Sequence, residues 1–234
     1  MTSSAEIHHK HRSVTGGWLR PAVFGMMDGL VSNFALIAGV AGAKADHTAV
    51  SLAGLAGLVG GAFSMATGEY VSVQSQNESA HAEIEIERHE LRVNSAAEQA
   101  ELAQSYVDRG VEPTLARQVA EQISRDPDEA LSVHAMAELG VNPSELPSPW
   151  TAAGSSFASF TVGALIPLLP YLFGATSLLA SAILSLGALF GAGALTSLFT
   201  ARSWIFSGGR QVLLGTVAAA VTFAVGSLFN VVTG

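Results

Sequence analysis

Residues 146–201 carry no charged side chain, and neither do residues 211–234. A water-soluble fold cannot cover its surface with such segments, whereas a bilayer requires them, because about 20 apolar residues span the hydrocarbon core. Charged residues make up 13% of the 234-residue chain, about half the usual share for a soluble domain. The pattern predicts an all-α membrane protein with five transmembrane helices at roughly 21–43, 50–73, 152–173, 177–200 and 211–232. The expected organisation is a tail over 1–20, the first two spans within 21–75, an acidic helical domain over 76–148, and the last three spans within 149–234. Gly25/Gly29, Gly57/Gly61 and Gly187/Gly191 each place two small residues four apart, on one helix face, a spacing that suits close packing of membrane helices.

Orientation follows from Lys and Arg, which concentrate in cytoplasmic loops. Lys10, Arg12 and Arg20 precede the first span; Arg88, Arg92, Arg109, Arg117 and Arg125 lie between the second and third; Arg202 and Arg210 lie between the fourth and fifth. An N-terminus in the cytoplasm puts all of these on the cytoplasmic side and leaves only Lys44 outside. Five spans then carry the uncharged C-terminus to the outside. The opening segment, with His8, His9 and His11, is too polar for a cleaved signal peptide. It reads either as a minor metal-binding tail or as a mildly basic disordered one. The chain has no cysteine, so any metal site must use oxygen, imidazole or thioether ligands.

The charges that do occur are concentrated. Residues 78–145 hold 15 of the 19 acidic side chains. No Gly or Pro occurs between Glu69 and Arg109, so one helix can continue from the second span through this stretch. Gly110 and Pro113 mark a stop and restart, with a second helix over 114–124. Asp126-Pro127-Asp128-Glu129 reads as an N-cap and capping box, opening a third helix that runs to Leu139 and closes on Gly140. The expectation is a cytoplasmic three-helix domain.

On a continuous helix, Glu83, Glu87, Glu90, Asn94, Glu98 and Glu101 fall within roughly an 80° sector. Like charges one turn apart destabilise a helix, so the stripe opposes folding unless a cation sits on it. Divalent metal is the natural candidate, because hard cations take several carboxylate oxygens. His134 and Glu138, one turn apart on the third helix, can supply two further ligands, and imidazole favours transition metals over Ca and Mg. The same carboxylates also suit a plain solvated face, and His134 an ordinary surface position.

Two carboxylates stand within the spans themselves. Asp28 lies about two turns into the first, and an ionisable residue there marks a functional site because its burial in lipid is costly. In the second, Met65 and Glu69 sit four apart with Ser64 and Thr67 adjacent. The first two spans run antiparallel, so Asp28 and the Met65–Glu69 end share a depth, as a metal transport site requires. A thioether prefers softer transition metals, although a membrane Met also serves as simple packing.

Three segments together resemble the vacuolar iron transporter family. They are Asp28-Gly29-Leu30-Val31, Ser64-Met65-Ala66-Thr67-Gly68-Glu69-Tyr70-Val71-Ser72-Val73 and Gly163-Ala164-Leu165-Ile166-Pro167-Leu168-Leu169-Pro170-Tyr171. The resemblance covers nearly all of the chain from Trp18 onward. It implies a five-helix homodimer in a lipid bilayer, here a bacterial inner membrane, exporting Fe(II) and often Mn(II) from the cytoplasm in exchange for protons. It implies Asp28 and Met65 as transport residues, and the pairs Glu87/Glu90 and Glu98/Glu101 as cytoplasmic metal ligands. The family's Met-x-x-x-Glu pair departs here to His134-Ala135-Met136-Ala137-Glu138, so either His134 or Met136 stands in for the Met.

The resulting expectation is a secondary metal/proton antiporter, not an enzyme. Glu87, Glu90, Glu98, Glu101, His134, Met136 and Glu138 take Fe(II), Mn(II) or Zn(II), and the ion passes by Asp28, Met65 and Glu69. No permanently bound cofactor and no nucleic-acid partner is expected. The alternatives are a membrane-anchored di-iron ferroxidase, a class whose sites use Glu and Glu-x-x-His on packed helices, and a metal sensor that binds without transport.

Overall fold

The computed structural model describes residues 17–199 and 202–233, so His8, His9 and His11 lie outside the described residues. Among the described residues the elements are helical throughout: α1 (Leu19–Gly42), α2 (His47–Val93), α3 (Ser95–Asp108), α4 (Pro113–Ile123), α5 (Pro127–His134), α6 (Pro149–Leu172), α7 (Leu178–Thr196) and α8 (Trp204–Thr233). A π turn over Ala135–Leu139 extends α5, and a 3₁₀ turn over Ser197–Phe199 ends α7. Five of these helices, α1, α2, α6, α7 and α8, are long and apolar enough to cross a membrane. The last begins at Trp204, earlier than the expected 211, because Arg210 is accommodated within the helix.

The chain divides into two compact units, one made of residues up to Val71 together with those from Pro149 onward, the other of Ser72–Ser148. In the first unit α1 is central, packing against α6, α8 and α7. Lipid tails are as apolar as Leu, so helix association in a membrane depends on close van der Waals fit and on polar contacts. Gly29 supplies the fit: a methyl group there would collide with the Phe160 carbonyl oxygen and lie 2.8 Å from the Ala164 nitrogen. Gly163 approaches the Met26 carbonyl from the opposite helix, and Gly226 of α8 approaches Gly39 of α1 in the same way. Gly187 and Gly191 meet no side chain or backbone of another described element. Polar ties supplement the packing. Thr222 donates to the Ala35 carbonyl at 2.6 Å, and Ser181 donates to the Pro167 carbonyl at 2.7 Å. Ile37, Val50, Ala62, Phe160, Ala164, Leu168 and Tyr171 form the main apolar cluster of this unit.

The second unit departs from the expected three helices. The helix entering it ends at Val93, and a new one starts at Ser95, with Asn94 between them at φ −118° and ψ 30°. The Asn94 side chain donates to Glu90 Oε2 at 2.5 Å while its own carbonyl accepts from Ala97 and Glu98. Asn94 keeps the backbone bonds to Glu90 and Glu98 on either side of it yet leaves the helical region, so absence of Gly and Pro does not suffice to keep a helix regular. The remaining boundaries fall near their expected places. Glu112 caps α4 by accepting from the Thr114 and Leu115 amides, and the Thr114 amide bond chiefly holds the Glu112 carboxyl below its usual range. Asp126 caps α5 by accepting from the Asp128 and Glu129 amides, with Pro127 in the first turn. Small cores join these pieces: Ile84 with Leu131 and Ala135, and Leu102 and Ala103 with Ala120.

Candidate metal centre and membrane cavity

In the second unit, three separate helical segments converge on one imidazole. His134 is 1% exposed. Its Nδ1 lies 3.1 Å from Glu87 Oε1, 3.3 Å from Glu138 Oε1 and 3.8 Å from Glu98 Oε2. One potential ligand atom from each of these four residues falls within 4.8 Å of every other. Asn94 separates α2 from α3, and Glu98 of α3 lies beside Glu87 of α2. Glu138 follows His134 by four residues in a π turn, where the Gly140 amide bonds to the Ala135 carbonyl, an i→i+5 bond. Gly140 closes it at φ +66°, a left-handed conformation that glycine adopts without strain.

The electrostatics of the group are those of crowded, partly buried carboxylates. Burial, then the Glu138 charge, pushes the Glu87 carboxyl above its usual range, with Glu98 and Glu101 adding to it and His134 opposing. Burial, then Glu101, raises Glu98, with Glu138 and Glu90 adding and His134 again opposing. Glu87 Oε1 and His134 Nε2 are buried and hydrogen-bonded to no described protein atom. A buried polar atom left unpaired costs about 1–3 kcal/mol, and like charges held at this range repel. A divalent ion relieves the carboxylate repulsion directly, and mixed oxygen and imidazole donors suit first-row transition metals.

The sequence-predicted ligands therefore divide. Glu87, Glu98, His134 and Glu138 are brought together. Glu101 and Glu90 stand close enough to raise Glu98, with Glu90 tied to Asn94. Met136 is half-exposed, whereas His134 is buried beside the three carboxylates.

Within the first unit, a cavity of about 260 Å³ is lined by Asp28, Ser32, Asn33 and Leu36 of α1, by Gly57, Gly61, Ser64 and Met65 of α2, and by Phe160 of α6. Asp28 and Met65 thus face one space. Glu69 does not line it. That residue is 7% exposed and faces Arg20, whose guanidinium stands 3.8 Å from Glu69 Oε2, an ion pair too long for a hydrogen bond. Asn33, which spacing alone did not single out, is among the largest fully buried side chains; an amide in an otherwise apolar run is the signal that marks it.

The VIT family profile matches residues 19–227. A vacuolar iron transporter of Acanthamoeba castellanii is 38% identical over 226 residues, which cover 94% of this chain and 82% of the relative. Relatives of the same name from Centaurea cyanus and Arabidopsis thaliana are each 32% identical, over 92% of this chain and 89% and 88% of their own lengths. With five apolar helices and a match along almost its whole length, the chain is an integral membrane protein that belongs to the VIT family.

Proposed function

We propose that the chain transports Fe(II) and Mn(II) out of the cytoplasm in exchange for protons, with capture by Glu87, Glu98, His134 and Glu138 and passage by Asp28 and Met65. The observation that carries the reading is the convergence of three carboxylates and one buried imidazole within 4.8 Å, in a chain whose relatives are named vacuolar iron transporters. Transport of a metal ion follows from that family; direction, coupling and capture are the further content of the proposal. Glu90 and Glu101 enrich the negative field around the captured ion. Glu69, paired with Arg20, stands beside the path rather than in it.

The charge arithmetic supports coupling. With the arginine-rich segments in the cytoplasm, a potential negative inside opposes export by about 2.3 kcal/mol per charge per 100 mV. Inward protons offset that cost. Asp28 is the residue to exchange them, since a carboxylate that accepts a divalent ion gives up its proton. Two copies of the chain form the unit, as in the family it resembles.

Capture is tested in the full chain in detergent. Glu87→Gln, Glu98→Gln, His134→Ala and Glu138→Gln, combined, remove most Mn(II) binding and raise the concentration needed for half-maximal flux in vesicles, while flux at saturating metal persists. Binding equal to wild type in that variant rejects the capture site.

A further inference from the structure

The cavity shared by Asp28 and Met65 contains a donor that neither spacing nor the family resemblance pointed to. Asn33 is 1% exposed, and its Nδ2 donates to the Ala164 carbonyl oxygen of α6 at 2.6 Å. A carbonyl only accepts, so this bond fixes which way the amide faces: its NH₂ is bound to α6 and its Oδ1 is turned away from it. That oxygen is buried and accepts from no described protein atom. It faces α2 at Gly57, where an added methyl carbon would sit 2.8 Å from it and 2.5 Å from Leu36 Cδ2. Both residues line the cavity. An amide oxygen held rigidly from behind and given room only by a missing side chain opposite is a preorganised acceptor. The cavity's remaining ionisable group is Asp28 and its soft donor is Met65.

We infer that Asn33 is a specificity-determining residue of the transport path, presenting its Oδ1 as a neutral oxygen ligand to a divalent cation moving through the cavity that Asp28 and Met65 also line. The inference rests on the reading of this cavity as the path. Its chemistry is distinct from that of its neighbours. A carboxylate sets the charge of the site, and a thioether draws softer ions. A carbonyl oxygen adds affinity for harder ones such as Mn(II) without adding a second titrating charge. Gly57 belongs to the same device, because any larger residue would push into the oxygen's space.

Mn(II) flux in proteoliposomes, with Zn(II) as competitor, tests this. For Asn33→Leu, which keeps the branching at Cγ but is larger and removes both the oxygen and the bond to Ala164, apparent affinity for Mn(II) falls about tenfold relative to that for Zn(II). Gly57→Ala leaves the Asn33–Ala164 bond in place, displaces the oxygen and moves the ratio in the same direction; it decides the matter alone if Asn33→Leu does not yield a monodisperse protein. A structural role for Asn33 predicts instead that both affinities fall by one common factor, or that only the amount of active protein falls. Either result, or an unchanged ratio, overturns the inference. Asp28→Asn is measured alongside. If it abolishes flux while the Asn33 ratio is unchanged, the path stands and Asn33 is not a ligand. Wild-type flux from Asp28→Asn removes the path itself, and the inference with it.

Discussion

His134 Nδ1 stands 3.1 Å from Glu87 Oε1, although 47 positions separate the two residues in the chain. The contact joins the end of α2 to the start of the π turn, and it makes the imidazole the centre of the carboxylate group rather than a neighbour of it. His134→Ala therefore weakens Fe(II) and Zn(II) binding by about tenfold or more and weakens Mn(II) binding less, because it leaves only oxygen donors. Met136→Ala, at a half-exposed position, leaves both affinities unchanged. Calorimetric titration of the two variants checks this, and a larger loss in Met136→Ala would reassign the ligand.

The raised carboxyls of Glu87 and Glu98 carry a pH dependence whose sign is fixed by linkage. Both groups hold a proton more tightly in the fold than in the unfolded chain. Without metal, their contribution to the stability of the insert is thus largest below the ordinary carboxylate range and declines as pH rises through the raised values. Metal reverses the trend, because protons compete with it for the same oxygens. Hydrogen exchange over 127–139, corrected for intrinsic rates, should show more protection at pH 5 than at pH 7 without metal, and the opposite order with saturating Mn(II). The same order in both conditions would contradict the assignment.

Asp28→Asn removes a carboxylate from the cavity wall and keeps its shape. Flux falls to background while metal binding at the insert stays within about twofold, since the two sites lie in different compact units and mutations without shared partners act nearly independently. Parallel flux and binding measurements on one preparation read both quantities.

Where the sequence signal was physical and local, it was legible. Uncharged runs marked the apolar helices because a bilayer tolerates little else, and the cap at Asp126 followed from a side chain that bonds its own backbone; the cap at Glu112 was not read from the sequence. The site was only half legible. Periodicity placed Glu87 and Glu98 on one straight face, whereas Asn94 separates α2 from α3, and Glu98 lies beside Glu87. Helical spacing put His134 and Glu138 on one face, but their approach to Glu87 and Glu98 required coordinates. Glu69 looked like a partner of Met65 by spacing; its actual partner is Arg20, which no helix periodicity could connect to it. Asn33 depends on a carbonyl of α6, 131 positions away.

Packing of α1 against α6 supplies a further prediction. Gly29→Ala places a methyl group against the backbone of Phe160 and Ala164, where backbone cannot give way as a flexible side chain would. Overpacking of this kind destabilises by about 1–3 kcal/mol. Gly187→Ala meets nothing within 4 Å and is neutral, or stabilising by up to ~1 kcal/mol through helix propensity. Thermal melting in one detergent compares them; equal midpoints would contradict the close approach of the two helices.

Metal movement against an imposed proton gradient tests the central claim most directly. Proteoliposomes are loaded with a Mn(II)-sensitive dye and prepared with the inserted unit facing outward, as the cytoplasmic face. With the lumen acidic, protons run outward through the protein as external Mn(II) is driven in. The account predicts Mn(II) uptake that rises with the gradient, is matched by alkalinisation of the lumen and is lost in Asp28→Asn. Uptake that ignores the gradient, moves no protons or survives in Asp28→Asn would contradict it.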